Sequence, residues 1–403
     1  MASSTNQHPA SDAPDVVQNL SPGLYVHVPF CRSRCTYCDF HVAALRLPVM
    51  RDYVEALVVE IERHAADGFV PRTIFVGGGT PSALDLESWD QLMSALSSNF
   101  SGSLLEWTVE MNPESIDSEK IELALSRGVD RISTGAQTFD ETGLSLMGRR
   151  HDARQVIEAH RLMSEIGVPR TSLDLIVGWP GQDSRSIVQD LEAVSLIDPD
   201  HVSLYHLSYE QGTWLHTMLK RGAIDPLADE TCIELSRQFL DGLAEQGFHR
   251  YEISNLYKRG GESLHNLNYW QRGSYLGIGS GAASFFSGQR WKNRPDVQAY
   301  INSSGAPDRV DVERPSGVSV VLEKIMLGLR LQEGINLTRI KAETDHDLID
   351  LCGDRLRHYE QQGFLVHEND VIKITARGFE IFDAMLVELF EQLERSGDGC
   401  GIG

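Results

Sequence analysis

Short apolar runs alternate with amphipathic segments through the first half of the chain. The runs suit buried strands, and between them apolar side chains recur every three or four residues, as Tyr53, Leu57 and Ile61 do on one helical face. This alternation predicts parallel strands joined by crossover helices. The predicted strands are 24–28, 73–76, 107–111, 131–134, 173–177 and 202–207. The predicted helices between them are 53–64, 86–96, 118–127, 153–166 and 186–196.

Periodicity alone does not say whether this sheet curls into a barrel or stays open as a doubly wound sheet. Residues that could bind a metal or a ligand stand late in the strands or directly after them. They are a cysteine cluster after the first strand, then Gly77–Gly79, Glu110, Gln137 and Asp174. Active sites of (β/α) barrels collect at the carboxyl ends of the strands. A doubly wound sheet follows a similar rule, so that alternative stays open. We expect an α/β fold with a partial (β/α)6 barrel over residues 22–228.

The second half of the chain has a different organisation. A helical pattern at 230–244 leads into an aromatic, Gly-rich stretch at 251–284, and a Ser/Gly/Pro-rich linker follows near 302–317. Helical patterns at 318–331, 337–342 and 346–361, a hairpin at 363–375 and a last helix at 376–394 resemble a smaller winged-helix-like α+β module. The predicted division is therefore a disordered leader at 1–21, the barrel at 22–228, a barrel-associated extension at 229–305, the winged-helix-like module at 306–392 and a flexible tail at 393–403.

Charge and hydropathy narrow the function classes. The chain of 403 residues has 36 Lys and Arg against 58 Asp and Glu, a formal net charge of −22. Such an acidic balance counts against a broad nucleic-acid or anionic-membrane surface. We find no apolar run near the roughly 20 residues of a spanning helix. The polar start lacks the apolar core of a signal peptide, which predicts a cytoplasmic protein with reduced thiols.

Half of the six cysteines fall within eight residues, as Cys31, Cys35 and Cys38. Clustered cysteines in a reducing compartment indicate a metal more often than a disulfide, and thiolates suit iron–sulfur clusters or zinc. An iron–sulfur cube usually takes four thiolates, so three would leave one iron open. The alternative is a Cys3His zinc site completed by His27 or His41. The other cysteines are scattered, which predicts ordinary core or tail positions for Cys232, Cys352 and Cys400.

The cysteine spacing gains meaning from its neighbours. Cys-x3-Cys-x2-Cys directly after a first strand, with Gly77–Pro81 (Gly-Gly-Gly-Thr-Pro) after the second, resembles the radical S-adenosylmethionine (SAM) superfamily. In that family the amino and carboxylate groups of SAM chelate the open iron, and an electron from the cluster cleaves the sulfonium. The resemblance implies a [4Fe–4S] cluster and SAM as cofactors. A glycine turn would let the backbone approach the methionine end of SAM closely.

The resemblance continues over about residues 22–390, in the branch that contains oxygen-independent coproporphyrinogen-III oxidase and the heme chaperone HemW. The matching segments are 24–31, 75–82, 109–113, 131–139, 148–151 and 173–180. Carboxylates can accept hydrogen bonds from ribose hydroxyls or an ammonium group, and a guanidinium can fork onto a carboxylate. The resemblance implies contacts to SAM or the cluster from Tyr25, Tyr37, Gly78, Gly79, Thr80, Glu110, Gln137, Arg149, Asp174, Ser208 and Ala283.

Two features separate the oxidase from the chaperone. The oxidase resembles Cys-x3-Cys-x2-Cys-x-Cys, but Phe40 holds the last position here, and only about twenty polar residues precede Leu24. The segment His265–Trp270 matches the HNxxYW signature of HemW. A neutral imidazole can ligate iron and aromatic rings can pack on a flat macrocycle, although a packing cluster between domains is the alternative. The heme candidates are His265, Asn266, Tyr269 and Trp270.

The resemblance as a whole implies a heme chaperone that binds [4Fe–4S], SAM and heme and passes heme to heme-dependent respiratory membrane proteins. The enzymatic alternative is coproporphyrinogen III decarboxylation; we assign no catalytic residue and expect no such activity, while cleavage of SAM is left open. A third hypothesis, a winged-helix regulator, is disfavoured because Arg355 and Arg357, with His346 and His358, are the only basic residues in 346–361. We expect no nucleic-acid partner and membrane contact only through partners, and a homodimer is compatible with the sequence.

Overall fold

The computed structural model describes residues 20–100 and 102–397. Residues 1–19 of the leader predicted at 1–21 and residues 398–403 of the tail predicted at 393–403, including Cys400, lie outside the described residues; Leu20 is buried, and the last helix continues to Gly397. The strands are β1 Gly23–Val28, β2 Phe30–Cys31, β3 Ala43–Ala44, β4 Thr73–Gly78, β5 Glu106–Glu110, β6 Arg131–Gln137, β7 Arg170–Val177, β8 His201–His206, β9 His249–Arg250, β10 Asn255–Tyr257, β11 Tyr275–Ile278, β12 Ala283–Phe286, β13 Gln289–Asn293, β14 Arg309–Glu313, β15 Ile335–Asn336, β16 Leu365–Glu368 and β17 Val371–Ile374. The helices are α1 Leu47–Ala66, α2 Leu86–Phe100, α3 Ser118–Arg127, α4 Glu141–Leu146, α5 Ala153–Ile166, α6 Ser184–Ile197, α7 Trp214–Lys220, α8 Asp229–Glu245, α9 Leu264–Trp270, α10 Val297–Ile301, α11 Val318–Gly328, α12 Leu337–Thr344, α13 Leu348–Gln361, α14 Ala376–Phe379 and α15 Phe382–Gly397.

Strand order decides between a barrel and a doubly wound sheet. The strands β1, β4, β5, β6, β7 and β8 lie side by side in chain order, and every neighbouring pair among them is parallel. A doubly wound sheet has a point where the strand order reverses, and this row of six has none. The predicted partial (β/α)6 barrel is therefore confirmed, and the prediction also located each of these strands to within a few residues.

The strands alternate between an outer apolar face and an inner polar face. Leu24, Val26 and Val28 of β1 are buried in one core with apolar side chains of α1 and α2. Tyr25 and His27, the alternate positions of the same strand, point inward, and their side chains are hydrogen-bonded to each other at 2.9 Å. Because side chains of a strand alternate between faces, this two-residue period puts polar groups inside the barrel.

Local sequence signals start and stop the crossover helices. Asp152 accepts a hydrogen bond from the amide of Gln155 in a capping box that begins α5, and Gly167 ends the helix in a left-handed conformation at φ 89°. Pro48 stands in the first turn of α1, which begins at Leu47 rather than at the predicted residue 53. Proline is favoured in the first turn because it needs no amide donor there, and this moves the start upstream.

The region after β8 differs from the sequence expectation. The helix predicted at 230–244 is α8, which packs on α6 and places Leu235, Phe239 and Leu243 in the core under β7 and β8. It completes the sixth strand–helix unit rather than standing outside the barrel. The sequence analysis missed β11–β14, which extend the sheet beyond β1; β11 is parallel to β1, and β12–β14 continue antiparallel. The strand β14 lies beyond the boundary predicted at residue 305, yet it pairs with β13.

The C-terminal module has its own core. Helices α11–α15 surround the three-stranded sheet β15-β17-β16, with Ile325, Leu356 and Leu389 among the fully packed side chains. The predicted hairpin is formed by β16 and β17, and Asn369 at its turn has φ 56°. The single helix predicted at 376–394 is instead α14 and α15, which are separated near residue 380. The winged-helix-like α+β character is confirmed. Among the described residues, no helix combines the length and apolarity needed to cross a bilayer.

Candidate iron–sulfur and SAM site

A cavity of about 390 Å³ opens at the carboxyl ends of the barrel strands. The cysteine loop that follows β1 covers one side, and the ends of β4 to β8 form the rest. It brings together residues that are far apart in the sequence but were predicted for one site. These are Cys31, Cys35, Cys38, Tyr37, Gly78, Gly79, Thr80, Glu110, Gln137, Arg149, Asp174 and Ser208.

The three cysteines are half-buried thiols at the mouth of this cavity. Burial raises the pKa of Cys31 to about 11 and also raises the pKa of Cys38. Two side chains donate toward the sulfurs: Arg149 Nη1 lies 3.3 Å from Cys35 Sγ, and Thr80 Oγ1 lies 3.7 Å from Cys31 Sγ. Cys31 and Cys38 therefore keep their protons until a metal displaces them, and the two donors are in place to stabilise the negative charge of metal-bound sulfurs.

The zinc alternative lacks a fourth ligand. Nδ1 of His27 lies 2.9 Å from the Tyr25 hydroxyl and Nε2 lies 2.9 Å from the carbonyl of His41, so both ring nitrogens are engaged. Nε2 of His41 lies 2.9 Å from Ser280 Oγ. Within residues 20–100 and 102–397, no three His, Cys, Asp or Glu side chains are close enough to hold a single metal ion. Three thiols beside histidines that are already hydrogen-bonded suit an iron–sulfur cube with one open iron better than a four-ligand zinc site.

The glycine turn after β4 is tightly packed against the protein itself. Gly78 has φ 107°, and a Cβ there would lie 2.4 Å from the imidazole of His27. A Cβ on Gly79 would lie 2.6 Å from the carbonyl carbon of Pro29. The sequence analysis explained these glycines by the approach of a ligand, but the passage of the β1 loop already requires them. The Gly78 amide donates to Glu110 Oε2 at 3.1 Å, which ties the turn to β5.

Two half-buried carboxyl groups, Glu110 and Asp174, line the cavity close enough for the charge of one to act on the other. Burial and the charge of Asp174 raise the pKa of Glu110 to about 8, and burial raises the pKa of Asp174 to about 6. Ser133 Oγ donates to Asp174 at 3.3 Å, while Glu110 accepts from the Gly78 amide. Ser203 is a second donor to Asp174, so Glu110 has the fewer partners, and a ligand with hydroxyl or ammonium groups would favour the ionised forms.

A backbone irregularity aims Gln137 into the cavity. Its φ is 71°, and the pairing of β6 with β7 shifts register between Gly135 and Gln137. A β-bulge of this kind turns a side chain away from the regular alternation of the strand. Nonglycine residues held in the left-handed region are costly and cluster at functional sites, so the outlier supports a ligand-binding role for Gln137.

Arg149 joins the cysteine loop to the strand ends. Nη2 donates to the carbonyl of Gly135 at 2.7 Å and to Asn112 Oδ1 at 3.3 Å, in addition to the Nη1 contact with Cys35. Among the described residues, Nε is buried without an acceptor. A buried donor with no partner is unfavourable in the protein alone. The donor set therefore suits a ligand carboxylate beside the cysteines, which is the chemistry that SAM presents.

Two residues predicted for SAM do not line the cavity. Tyr25 lies deeper in the barrel, where its ring stacks on Phe75 with centroids 6.3 Å apart. Ala283 is exposed at the start of β12. Phe40, which stands in place of a fourth cysteine, lines the mouth and is 62% exposed.

The HNxxYW segment lies at the opposite end of the barrel. Nδ1 of His265 is 2.8 Å from Thr73 Oγ1 at the start of β4, and Nε2 is 2.8 Å from the Tyr269 hydroxyl. His265 is 1% exposed, and burial lowers its pKa to about 4. Glu106, at the start of β5, accepts from the backbone amides of Leu264 and His265. The structure thus does not bring the motif to the cavity, and the segment plugs the amino-terminal end of the barrel.

Trp270 marks a second cavity, of about 750 Å³, between this plug and the C-terminal module. The indole shares the lining with Arg272, Lys324 and Arg339. Arg272 pairs with Glu323 at 2.7 Å, while Lys324 and Arg339 both pair with Glu343. Asn266 and Tyr269, the other members of the motif, do not line this cavity, and Tyr269 packs edge-on against His265.

The sequence analysis missed several residues of the first cavity. Asn112, Ile176 and Tyr205 line it, and Tyr205 is 43% exposed. Each stands two residues after a position that points inward: Glu110, Asp174 and Ser203 respectively. The two-residue period of a strand was the signal that could have identified them.

Comparisons with known proteins agree with this geometry. The sequence profile of the Radical SAM superfamily matches residues 25–194, and the HemN C-terminal domain matches residues 320–381. "Heme chaperone HemW" of Lactococcus lactis is 32% identical over 89% of this chain and 94% of its own length. The protein of that name from Bacillus subtilis is 32% identical over 91% of this chain and 99% of its own.

A solved structure supports the fold. Coproporphyrinogen III oxidase (HemN) from Escherichia coli, described as a radical SAM enzyme, superposes with a TM-score of 0.77 over 91% of this chain and 89% of that one. At 20% identity this likeness shows the architecture only. Radical SAM membership implies a [4Fe–4S] cluster and SAM, and the donor sets described above fit both. Because both relatives are 32% identical to this chain over about nine tenths of its length, the chain belongs to the HemW family of the radical SAM superfamily.

Proposed function

We propose that this protein is a cytoplasmic heme chaperone, which binds [4Fe–4S], SAM and heme and delivers heme to heme-dependent membrane proteins of the respiratory chain. The observation that carries the proposal is the nearly full-length likeness to proteins named heme chaperone HemW. Phe40 stands where the oxidase motif has its last cysteine, and this further supports the chaperone over the oxidase. A homodimer stays a prediction.

Cys31, Cys35 and Cys38 would hold the cluster, and Arg149 and Thr80 would stabilise the thiolates by donation. A bound cluster would supply one iron without a protein ligand, where the amino and carboxylate groups of SAM can attach. The unsatisfied Nε of Arg149 suits that carboxylate. The remaining polar contacts to SAM would come from Glu110, Gln137 and Asp174, while Tyr25 and Ala283 would act from outside the cavity lining.

Heme would bind on the other side of the barrel. Support comes from the cavity beside Trp270, where an aromatic face is combined with Arg272, Lys324 and Arg339. Heme is flat and aromatic and carries two propionates, so the indole suits its ring, while the cations would take the propionates in exchange for their present partners Glu323 and Glu343. Both ring nitrogens of His265 already have partners, so His265 and Tyr269 would have a structural role in packing. Trp270 would then be the residue of the motif that contacts heme.

One anaerobic sample tests the proposal. The full chain is reconstituted with iron and sulfide, titrated with heme, mixed with an apo-cytochrome acceptor, and assayed separately with SAM, reductant and coproporphyrinogen III. We expect cluster absorbance at about 400 nm that is lost when the three cysteines are changed to alanine, saturable heme binding, and heme transfer. Formation of protoporphyrinogen would instead establish the oxidase, and failure of heme binding or transfer would refute the chaperone.

A further inference from the structure

One side-chain amide links the two groups that donate toward the cysteine sulfurs. Thr80 Oγ1 lies 3.7 Å from Cys31 Sγ, and Arg149 Nη1 lies 3.3 Å from Cys35 Sγ. Asn112 contacts both donors: its Nδ2 donates to Thr80 Oγ1 at 3.0 Å, and its Oδ1 accepts from Arg149 Nη2 at 3.3 Å. A continuous chain of hydrogen bonds therefore runs from one sulfur to the other through Asn112.

The direction of each hydrogen bond in this chain follows from the chemistry of the groups. A guanidinium has donors only, so the oxygen of the Asn112 amide must face Arg149 and its nitrogen must face Thr80. Thr80 Oγ1 thus accepts from Asn112, and its own proton is left for another acceptor, the sulfur of Cys31. With the two amide atoms exchanged, the Thr80 proton would turn to the amide oxygen and away from the sulfur.

The backbone around Asn112 leaves this amide little freedom. Pro113 follows, and a residue before proline is restricted to extended conformations; Asn112 has φ −78° and ψ 143°. Its backbone N–H donates to Ser82 Oγ at 3.2 Å, and its carbonyl accepts from the backbone amide of Ser115 at 2.9 Å. Ser82 and Ser115 are both buried, and their hydroxyl oxygens are 2.6 Å apart. Asn112 is therefore fixed on the barrel side and can hold its two neighbours in place.

Donors near cluster sulfurs affect the redox chemistry of the cluster. Reduction adds one negative charge, so hydrogen bonds to the sulfurs stabilise the reduced form more and raise the reduction potential. We propose that Asn112 is a positioning residue, which orients Thr80 and Arg149 toward the cysteine sulfurs and so raises the reduction potential of the cluster. The proposal rests on the cluster assignment in the proposed function. In the step, one electron passes from a one-electron reductant, such as dithionite, to the oxidised cluster, and no covalent bond forms or breaks.

A double-mutant cycle separates this role from a simple change of charge. The full chain is reconstituted as wild type, N112D, T80V and N112D/T80V. The potential of each cluster is measured without SAM, by a dithionite titration followed by electron paramagnetic resonance, and SAM affinity is measured by dialysis on the same preparations. Aspartate has the shape of asparagine but only acceptors, so the Thr80 proton would turn to residue 112 rather than to Cys31. Asn99→Asp adds the same charge on the exposed surface of α2 and is the control.

We expect N112D and T80V each to lower the equilibrium constant for reduction by about tenfold, which is about 59 mV for one electron. In N112D/T80V the loss should be smaller than the sum of the two, because both changes remove the same donation to Cys31. N99D should match the wild type.

An unchanged potential in N112D, or strictly additive losses in the double variant, would overturn the proposal. So would a loss of SAM affinity in N112D at an unchanged potential, which would make Asn112 a SAM contact instead. A wild type that assembles no cluster would refute the cluster assignment itself, on which the proposal depends.

Discussion

Arg149 and Cys35 lie on different segments of the chain, 114 positions apart, yet Nη1 of the arginine is 3.3 Å from the sulfur of the cysteine. The same guanidinium donates to Gly135 on β6, so one side chain links the cysteine loop to the strand ends. Its buried Nε has no acceptor in the described part of the chain. The contact unites the two halves of the candidate site, and it identifies the residue whose removal is most informative.

Arg149→Gln should weaken SAM binding by about 10- to 100-fold, since a charge-assisted hydrogen bond to a carboxylate contributes about 1.5–3 kcal/mol. Iron content should remain close to that of the wild type, because the three thiols are untouched. Equilibrium dialysis with SAM and an iron assay on the same preparation measure the two effects. Arg161→Gln is the control, since Arg161 pairs with Glu165 on the exposed face of α5. Unchanged SAM affinity in the Arg149 variant would remove this residue from the site.

Gly78→Ala should destabilise the fold more than Gly68→Ala. Both glycines have positive φ, at 107° and 83°, so both substitutions carry a backbone penalty of about 1–3 kcal/mol. Only at residue 78 would the new methyl group also meet a ring, at 2.4 Å from His27, whereas nothing lies within 4 Å at residue 68. Urea unfolding of both variants measures the difference. Equal losses would mean that His27 moves aside freely.

Glu110 should make the fold less stable as the pH rises. Its pKa is raised to about 8 in the folded protein by burial and by Asp174, above the ordinary value of 4.5. The folded state therefore holds more protons than the unfolded state between about pH 4.5 and 8, and the free energy of unfolding falls across that window. In Glu110→Gln this part of the decline should disappear. Urea unfolding of the cofactor-free protein at several pH values measures it, and parallel profiles for wild type and variant would contradict the assignment.

His265 and Trp270 should respond differently to substitution. His265→Ala removes a buried side chain with two hydrogen bonds, and we expect a loss of about 2–5 kcal/mol of folding stability with an unchanged position of the heme Soret band. Trp270→Ala should weaken heme binding with a smaller loss of stability. Thermal unfolding and heme titration below the melting range separate the two. A Soret shift in the His265 variant would make His265 the axial ligand.

The sequence predicted those features that depend on residues close together along the chain. Glu110 and Asp174 were predicted from polar positions late in apolar strands, because the two-residue period puts them inside the barrel. Gln137 was singled out in the same way, by its place directly after a predicted strand, but its bulge could not be predicted, since a register shift against β7 depends on tertiary pairing. The position of His265 was equally inaccessible: a histidine among aromatic residues suits either iron ligation or packing. Only its contact with Thr73, 192 positions away, distinguishes the two.

The pairing of β1 with β11 has a consequence for biosynthesis. The first strand leaves the ribosome early, but one of its edges stays unpaired until Tyr275–Ile278 has been synthesised. In the folded protein Gly23 lies opposite Tyr275. Until about two thirds of the chain has been made, β1 presents unpaired backbone groups that invite pairing with a neighbouring nascent chain. Truncation before residue 275 should therefore yield aggregates rather than a smaller folded barrel, even though such a fragment retains every cysteine of the loop.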